Sequence, residues 1–190
     1  MTEDRMLSTA EARRAKVVDS AIATFARRGY HSATIADVAG NAGISPAYVS
    51  KLCASKAKLF AAALRECYDR ILLALEQGAE SAEDASPSGV LSAMGAAYAA
   101  LIADRDLLML QVHAQAAMAE PEIADAVREG MREVTGFVAS RSGAESAQVQ
   151  QFMAFGQLCH MLTNLDAFDL DEDWASILTE GIRHSAPLRR

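Results

Sequence analysis

The sequence predicts an all-α protein, and three observations support this fold class. Apolar residues recur at helical spacing through almost the whole chain of 190 residues, and no run alternates as a half-buried strand does. Alanine, the best helix former, is abundant. Glycine and proline number only 11 and 4, too few for the many turns of a β-rich domain.

The first three predicted helices are short or have clear end signals. Residues 9–28 form the first helix, with a capping box at Ser8 and Glu11 and a stop at Gly29. Thr34 caps a second, short helix, which residues 40–43 interrupt. Ser45 and Pro46 then begin a third helix, since serine is a good N-cap and proline suits the first helical position.

The rest of the chain predicts longer helices and one clear break. Ser55 caps a fourth helix that runs to about Gly78, and the polar residues 80–89 form a loop or linker. Further helices are expected at 90–103, 105–118, 121–140, 146–165 and 172–184. The expected organisation is a three-helix domain over residues 1–60 and a C-terminal helical bundle over residues 61–190.

Charge is divided unevenly between these two parts. Residues 1–60 hold nine Lys and Arg against five Asp and Glu, whereas residues 61–190 hold nine against twenty. A basic end on an acidic body can approach phosphates with that end alone. Cys53, Cys67 and Cys159 are odd in number and widely spaced, and no apolar run is long enough to cross a bilayer. We therefore expect a cytoplasmic protein without membrane partners.

Residues 34–52 carry the strongest motif. Two short helices, each with its own cap, flank a turn that ends in Gly43, which is the arrangement of a helix-turn-helix. Ile44, Val49 and Leu52 are expected to face the core. The outer face of the second helix then holds Pro46, Ala47, Tyr48, Ser50 and Lys51. By itself the motif also fits a surface helical hairpin that does not bind nucleic acid.

Residues 13–60 resemble the DNA-binding domain of the tetracycline-repressor (TetR) family. Four stretches match in order and spacing: Ile22-Ala23-Thr24-Phe25-Ala26-x-x-Gly-Tyr, Thr34-Ile35-Ala36-Asp37-Val38-Ala39, Ala42-Gly43-Ile44-Ser45 and Ser55-Lys56-x-x-Leu59-Phe60. The resemblance implies a homodimer that binds a double-stranded DNA operator. It also implies that the C-terminal bundle holds a small-molecule effector, whose identity the sequence does not reveal.

The resemblance also implies roles for single residues. Thr34 contacts a phosphate, and Ser45 both caps the recognition helix and reaches the DNA backbone. Ala47 and Tyr48 face base edges, Lys51 contacts backbone or base, and Lys56 pairs with a phosphate. Most family members carry an aromatic pair near the end of this helix, where the present chain has Ser50, Leu52 and Cys53. Tyr48 is then the main aromatic contact, and Ser50 makes a weaker phosphate contact than tyrosine. Cys53 is either a redox switch or inert packing.

The C-terminal bundle predicts a dimer interface from its own pattern. Residues 149–165 have two apolar stripes, so this helix must be covered on both sides, by its own subunit and by a partner. With the last helix it forms a four-helix interface. The residues expected there are Val149, Phe152, Met153, Gly156, His160, Trp174, Ile177 and Leu178.

The sequence evidence for the effector site is less specific than that for the dimer interface. Methionine and aromatic residues on these helices line an adaptable cavity or form ordinary core. His113 is either a polar anchor for a ligand or a histidine satisfied elsewhere. The acidic body hints faintly at a cationic effector. The candidate ligand-binding residues are Met94, Tyr98, Leu101, Met109, His113, Phe137, Phe152 and Phe155.

Enzyme motifs are absent from the sequence. The four histidines and three cysteines have no metal-ligand spacing, and no glycine-rich phosphate loop or nucleophile motif occurs. We expect no catalysis, no metal and no cofactor. The preferred hypothesis is a ligand-responsive repressor. The alternatives are a transcriptional activator of the same fold and a helical ligand-binding or protein-interaction module without DNA binding.

Overall fold

The computed structural model describes the backbone of residues 2–182 and the side chains of residues 10–182. Within that part of the chain the secondary structure is entirely helical, which confirms the predicted fold class. The helices are α1 (Thr2–Ser32), α2 (Ile35–Ala42), α3 (Pro46–Leu52), α4 (Lys56–Glu80), α5 (Pro87–Ile102), α6 (Arg105–Ala116), α7 (Pro121–Ser142), α8 (Ser146–Asn164) and α9 (Asp173–Thr179), with a short 3₁₀ turn at Ala167–Asp169 before α9.

Most predicted helices are present, and the differences lie at their ends. Helix α1 begins at Thr2, so Ser8 lies inside it rather than at its N-cap. Gly29 interrupts the helical path with φ of 70°, as predicted for a stop. Helix α2 continues through Gly40 and ends only at Gly43, whose φ of 63° is accessible to glycine at little cost. Helix α9 ends at Thr179, and the predicted end at residue 184 lies outside the described residues.

The chain divides into two compact units. The first contains the residues up to Tyr68 together with Arg105–Gly130, and the second contains Asp69–Asp104 and the residues from Met131 onward. Helices α4 and α7 each contribute to both units. The units are therefore composed differently from the two functional domains predicted on either side of residue 60, and that functional boundary stays a prediction.

The first unit is built around aromatic packing between α1 and α4. The rings of Phe25 and Phe60 lie 4.7 Å apart between centroids, and Tyr30 meets Phe60 edge-on at 5.5 Å. Phe25 and Phe60 are completely buried. Burial of such side chains is worth about 1.5–3 kcal/mol each. This packing holds α1 and α4 together in the unit that also contains α2 and α3.

The second unit packs helices closely where glycine allows it. A Cβ atom at Gly78 on α4 would lie 2.8 Å from the carbonyl oxygen of Ala93 on α5, so only glycine permits this approach. Met94 and Ile102 of α5 are completely buried. A further apolar cluster joins α8 to α9 through Leu162 and Ala175. No helix within residues 2–182 combines the length and hydropathy needed to cross a membrane.

Candidate nucleic-acid interface and ligand groove

The start of α2 is held by a reciprocal cap. The hydroxyl oxygen of Thr34 accepts a hydrogen bond from the Asp37 backbone N–H at 3.1 Å, and an Asp37 carboxylate oxygen accepts from the Thr34 backbone N–H at 2.9 Å. The Thr34 hydroxyl also donates to Asp37 at 2.7 Å, and Arg28 forms an ion pair with the same carboxylate. These hydrogen bonds from Thr34, and then Arg28, lower the pKa of Asp37. The cap fixes the angle at which the chain enters α2.

The turn between α2 and α3 follows from two residues. Gly43 adopts a left-handed conformation and its N–H bonds back to the end of α2, as does the N–H of Ile44 to Ala39 at 3.0 Å. Ser45 then caps α3, because its hydroxyl accepts from the Tyr48 N–H at 3.3 Å. Both features were predicted from the sequence and are confirmed.

Helix α3 presents one face outward. Val49 is completely buried, which anchors the helix to the unit. Pro46, Ala47, Ser50 and Lys51 are exposed, and Tyr48 is half-buried. We call these five outward side chains the reading surface. Ile44 and Leu52, predicted to face the core, are half-buried.

Lys56, the predicted phosphate ligand, contacts the end of α1. Its ammonium donates hydrogen bonds to the carbonyl oxygens of His31 and Ala33 at 3.3 and 3.1 Å, and lies 4.5 Å from the centroid of the Tyr30 ring. Carbonyls at a helix C-terminus attract a cation. Lys56 thus ties the start of α4 to the end of α1, a role that the sequence pattern did not suggest. Its contact with DNA stays a prediction.

Cys53 lies half-buried just after α3. Burial raises the pKa of its thiol, although the nearby charges of Arg14 and Arg65 act in the opposite direction. A raised pKa keeps the sulfur as the less reactive thiol at neutral pH. The environment of Cys53 therefore favours packing over the redox switch.

The second unit contains a partly open groove of about 320 Å³ between α5 and α8. Of the candidate ligand-binding residues, it brings together Tyr98, Phe152 and Phe155. Met94, Leu101 and Phe137 lie in the same unit but do not line the groove. Met109 and His113 belong to the first unit, where the His113 ring packs against Gly29. The full lining is Ser88, Leu91, Ser92, Gly95, Ala96, Tyr98, Gln148, Gln151, Phe152, Phe155, Gly156, Cys159, Gly181 and Ile182.

Two glycines shape this groove, and sequence reasoning missed their role. A Cβ at Gly95 of α5 would lie 3.6 Å from Phe152 of α8, and one at Gly156 of α8 would lie 3.7 Å from Tyr98 of α5. Each helix therefore places an aromatic ring over a glycine of the other. The spacing of glycine to aromatic, three residues on α5 and four on α8, is the signal that was available in the sequence.

Tyr98 connects the groove to a buried histidine. Its hydroxyl lies 2.5 Å from Nε2 of His160, and the latter side chain is only 4% exposed. Burial lowers the pKa of His160 to about 4, so the ring is neutral at physiological pH. Within the described chain, the Nδ1 atom of His160 and the hydroxyl of Thr163 are buried without a hydrogen-bond partner.

The residues predicted for a dimer interface fall into three environments. Trp174 and Ile177 are exposed, and Ile177 has 70% of its surface accessible. Val149 and His160 are buried within their own subunit. The remaining four, Phe152, Met153, Gly156 and Leu178, are half-buried.

The N-terminal sequence is similar to that of a known bacterial protein family. Residues 17–63 match the family model described as bacterial regulatory proteins of the tetR family. This N-terminal segment belongs to the TetR family. The match spans the second half of α1, helices α2 and α3, and the start of α4, so the predicted resemblance is confirmed over that segment.

Solved structures extend the likeness to the TetR fold as a whole. FadR from Bacillus subtilis, in complex with stearoyl-CoA, is 15% identical with a TM-score of 0.68, and the match covers 87% of this chain and 94% of FadR. A TetR-family member from Streptomyces coelicolor A3 is 20% identical with a TM-score of 0.68, over 90% and 98% of the two chains. A TetR-like regulator from Rhodococcus sp. RHA1 is 21% identical with a TM-score of 0.64, over 90% and 92%. No curated protein sequence matches the chain.

Proposed function

We propose that this chain is a ligand-responsive transcriptional repressor that binds a roughly palindromic operator as a homodimer. The observation that carries the proposal is the reading surface on α3, within a segment that matches the TetR family. Val49 anchors the helix from the inside, and the exposed face carries no acidic side chain that would repel phosphates. Such a helix can enter the major groove and meet base edges there.

The dimer is supported by apolar side chains that the single chain leaves exposed. They lie on α8, on α9 and in the segment between them: Phe155, Met161, Leu165, Leu170, Trp174 and Ile177. Clustered apolar exposure of this kind marks surfaces that partners cover. A second copy related by two-fold symmetry would cover these side chains. To bind a palindromic operator, the two reading surfaces of such a dimer must reach major grooves about 34 Å apart, or a multiple of that distance.

Repression would follow from occupancy of the operator. A ligand bound in the second unit releases DNA if it favours a conformer whose reading surfaces no longer match the spacing of the major grooves. The free energy for this shift comes only from the difference in ligand affinity between the two conformers.

A selection against fragments of the source genome tests the proposal. The purified protein is first unfolded and refolded to remove any ligand carried through purification, and selection is then made at 50 and 200 mM salt, values set by the expected counterion effect. We expect a short palindrome whose affinity falls steeply with salt. A promoter reporter then shows whether occupancy lowers transcription. Recovery of single half-sites would contradict the dimer, increased transcription would indicate an activator, and no enrichment would contradict DNA binding.

A further inference from the structure

The two helices that form the groove run parallel. Contacts advance together along both, since Gly95 faces Phe152 and Tyr98 faces Gly156. Ser88 and Ser92 on α5 therefore lie at the same end of the groove as Gln148 and Gln151 on α8. The aromatic rings and Ile182 line the remainder. The groove thus has one neutral polar end and one apolar, aromatic part.

Among the residues that the structure describes, no side chain in this lining carries a formal charge at neutral pH. The Tyr98 hydroxyl contacts Nε2 of His160, and that ring is neutral as well. In this partly open groove an ion would lose part of its water without gaining a counter-charge from the described lining, which costs more than the transfer of a neutral group. The stearoyl-CoA in the structure of B. subtilis FadR carries anionic phosphates. The described lining offers no cation to such a headgroup and no carboxylate to a cationic ligand.

We propose that the α5–α8 groove binds an uncharged, mostly apolar small molecule with a ring system. Its apolar part lies against Tyr98, Phe152 and Phe155, and its polar group faces Ser92 and Gln151. A volume of about 320 Å³ suits a compact ligand of this class. The inference rests on the proposed function, because it names the class of effector to which the regulator responds.

Fluorescent probes that differ in charge test the ligand class. N-phenyl-1-naphthylamine is uncharged, 1-anilinonaphthalene-8-sulfonate adds one sulfonate to the same ring system, and ethidium is an aromatic cation. We expect the uncharged probe to bind with a Kd at least about tenfold lower than either ion, a difference of about 1.4 kcal/mol. Equal or tighter binding of the sulfonate or of ethidium would overturn the proposed class.

The groove glycines locate the binding site. In the Gly95→Ala/Gly156→Ala variant, each new methyl group lies at an ordinary packing distance from a ring, so the fold is retained while the groove shrinks. The expected result is an unchanged or higher Tm and a Kd for N-phenyl-1-naphthylamine raised at least about tenfold. Gly136→Ala on α7 is the matched control, because no atom lies within 4 Å of the added Cβ. Unchanged probe affinity in the double variant would exclude the groove.

Two further readouts separate this inference from its premises. If the double variant alters the dimer dissociation constant and leaves probe binding intact, the groove is covered by a second copy and the inference fails. Operator release is measured with the two anilinonaphthalene probes, because ethidium intercalates into DNA by itself. Suppose that the uncharged probe binds selectively, and loses affinity in the double variant, without releasing DNA. That result would support the ligand class but would contradict the ligand response in the proposed function. Intact operator binding with no probe selectivity would overturn the ligand class alone.

Discussion

Glycine and aromatic residues have different roles in the reading surface and in the α5–α8 groove. At the reading surface, Gly43 ends a helix through its own left-handed backbone, and Tyr48 points outward within a basic region. In the groove, Gly95 and Gly156 stay helical and accommodate rings from distant parts of the sequence, and no described lining residue is charged. The reading surface is thus specified by neighbours in the sequence and its outer side chains can change at little cost to stability. The groove is specified by tertiary packing, where binding and stability are coupled.

The largest expected change in stability belongs to the groove region and concerns His160. Its pKa is lowered from 6.5 to about 4 by burial, so the unfolded chain binds a proton that the folded chain excludes. The associated stability is present above pH 6.5 and is lost as pH falls toward 4. Between pH 7 and pH 5 the free energy of unfolding should fall by about 2 kcal/mol.

Urea unfolding at these two pH values measures this difference. His160→Gln should remove most of the pH dependence, whereas His31→Gln, at an exposed position, should retain it. If wild type and His160→Gln showed the same pH dependence, His160 would not be the group responsible. The claim that binding and stability are coupled in the groove, but not at the reading surface, would then be weakened.

The next effect concerns the reading surface. Tyr48→Ala should weaken operator binding by about 1–3 kcal/mol and relax the preference among sequences, because a base-edge contact is lost. The Tm should change little, since the side chain is only half-buried. Electrophoretic titration of operator and mismatched DNA measures both quantities. Ser50→Ala on the same helix is the control, and we expect it to lose less operator affinity. If Tyr48→Ala retained full operator affinity and sequence preference, Tyr48 would not contact the bases.

The smallest effect distinguishes Lys51, which belongs to the reading surface, from Lys56, which lies at the start of α4. Lys51→Ala and Lys56→Ala should each flatten the slope of log affinity against log salt by about one. Only Lys56→Ala should also lower stability, by about 1 kcal/mol, because its ammonium bonds two carbonyls and lies over Tyr30. Salt titration and thermal unfolding of both variants measure this. An unchanged slope in Lys56→Ala would restrict that residue to joining α1 and α4.

The same contrast explains what the sequence could predict. The caps at Thr34, Ser45 and Ser55 were found because capping needs only residues three positions apart. The exposed face of α3 was found because helical spacing separates Val49 from its neighbours. Periodicity shows that Met94 or Leu101 faces inward, but not which helix covers it. For that reason three of the eight candidate ligand-binding residues line the groove, and His113 lies in the other unit.

The two glycines beneath aromatic rings have a consequence for how regulators of this kind diverge. Every glycine codon becomes an alanine codon through one base substitution, and at Gly95 and Gly156 the added methyl meets its ring at 3.6 and 3.7 Å, where no neighbour has to move. With the groove as the proposed effector site, a lineage can narrow the range of effectors that it binds one methyl group at a time. The proposed reading surface lies on α3, in a separate part of the sequence, and stays the same.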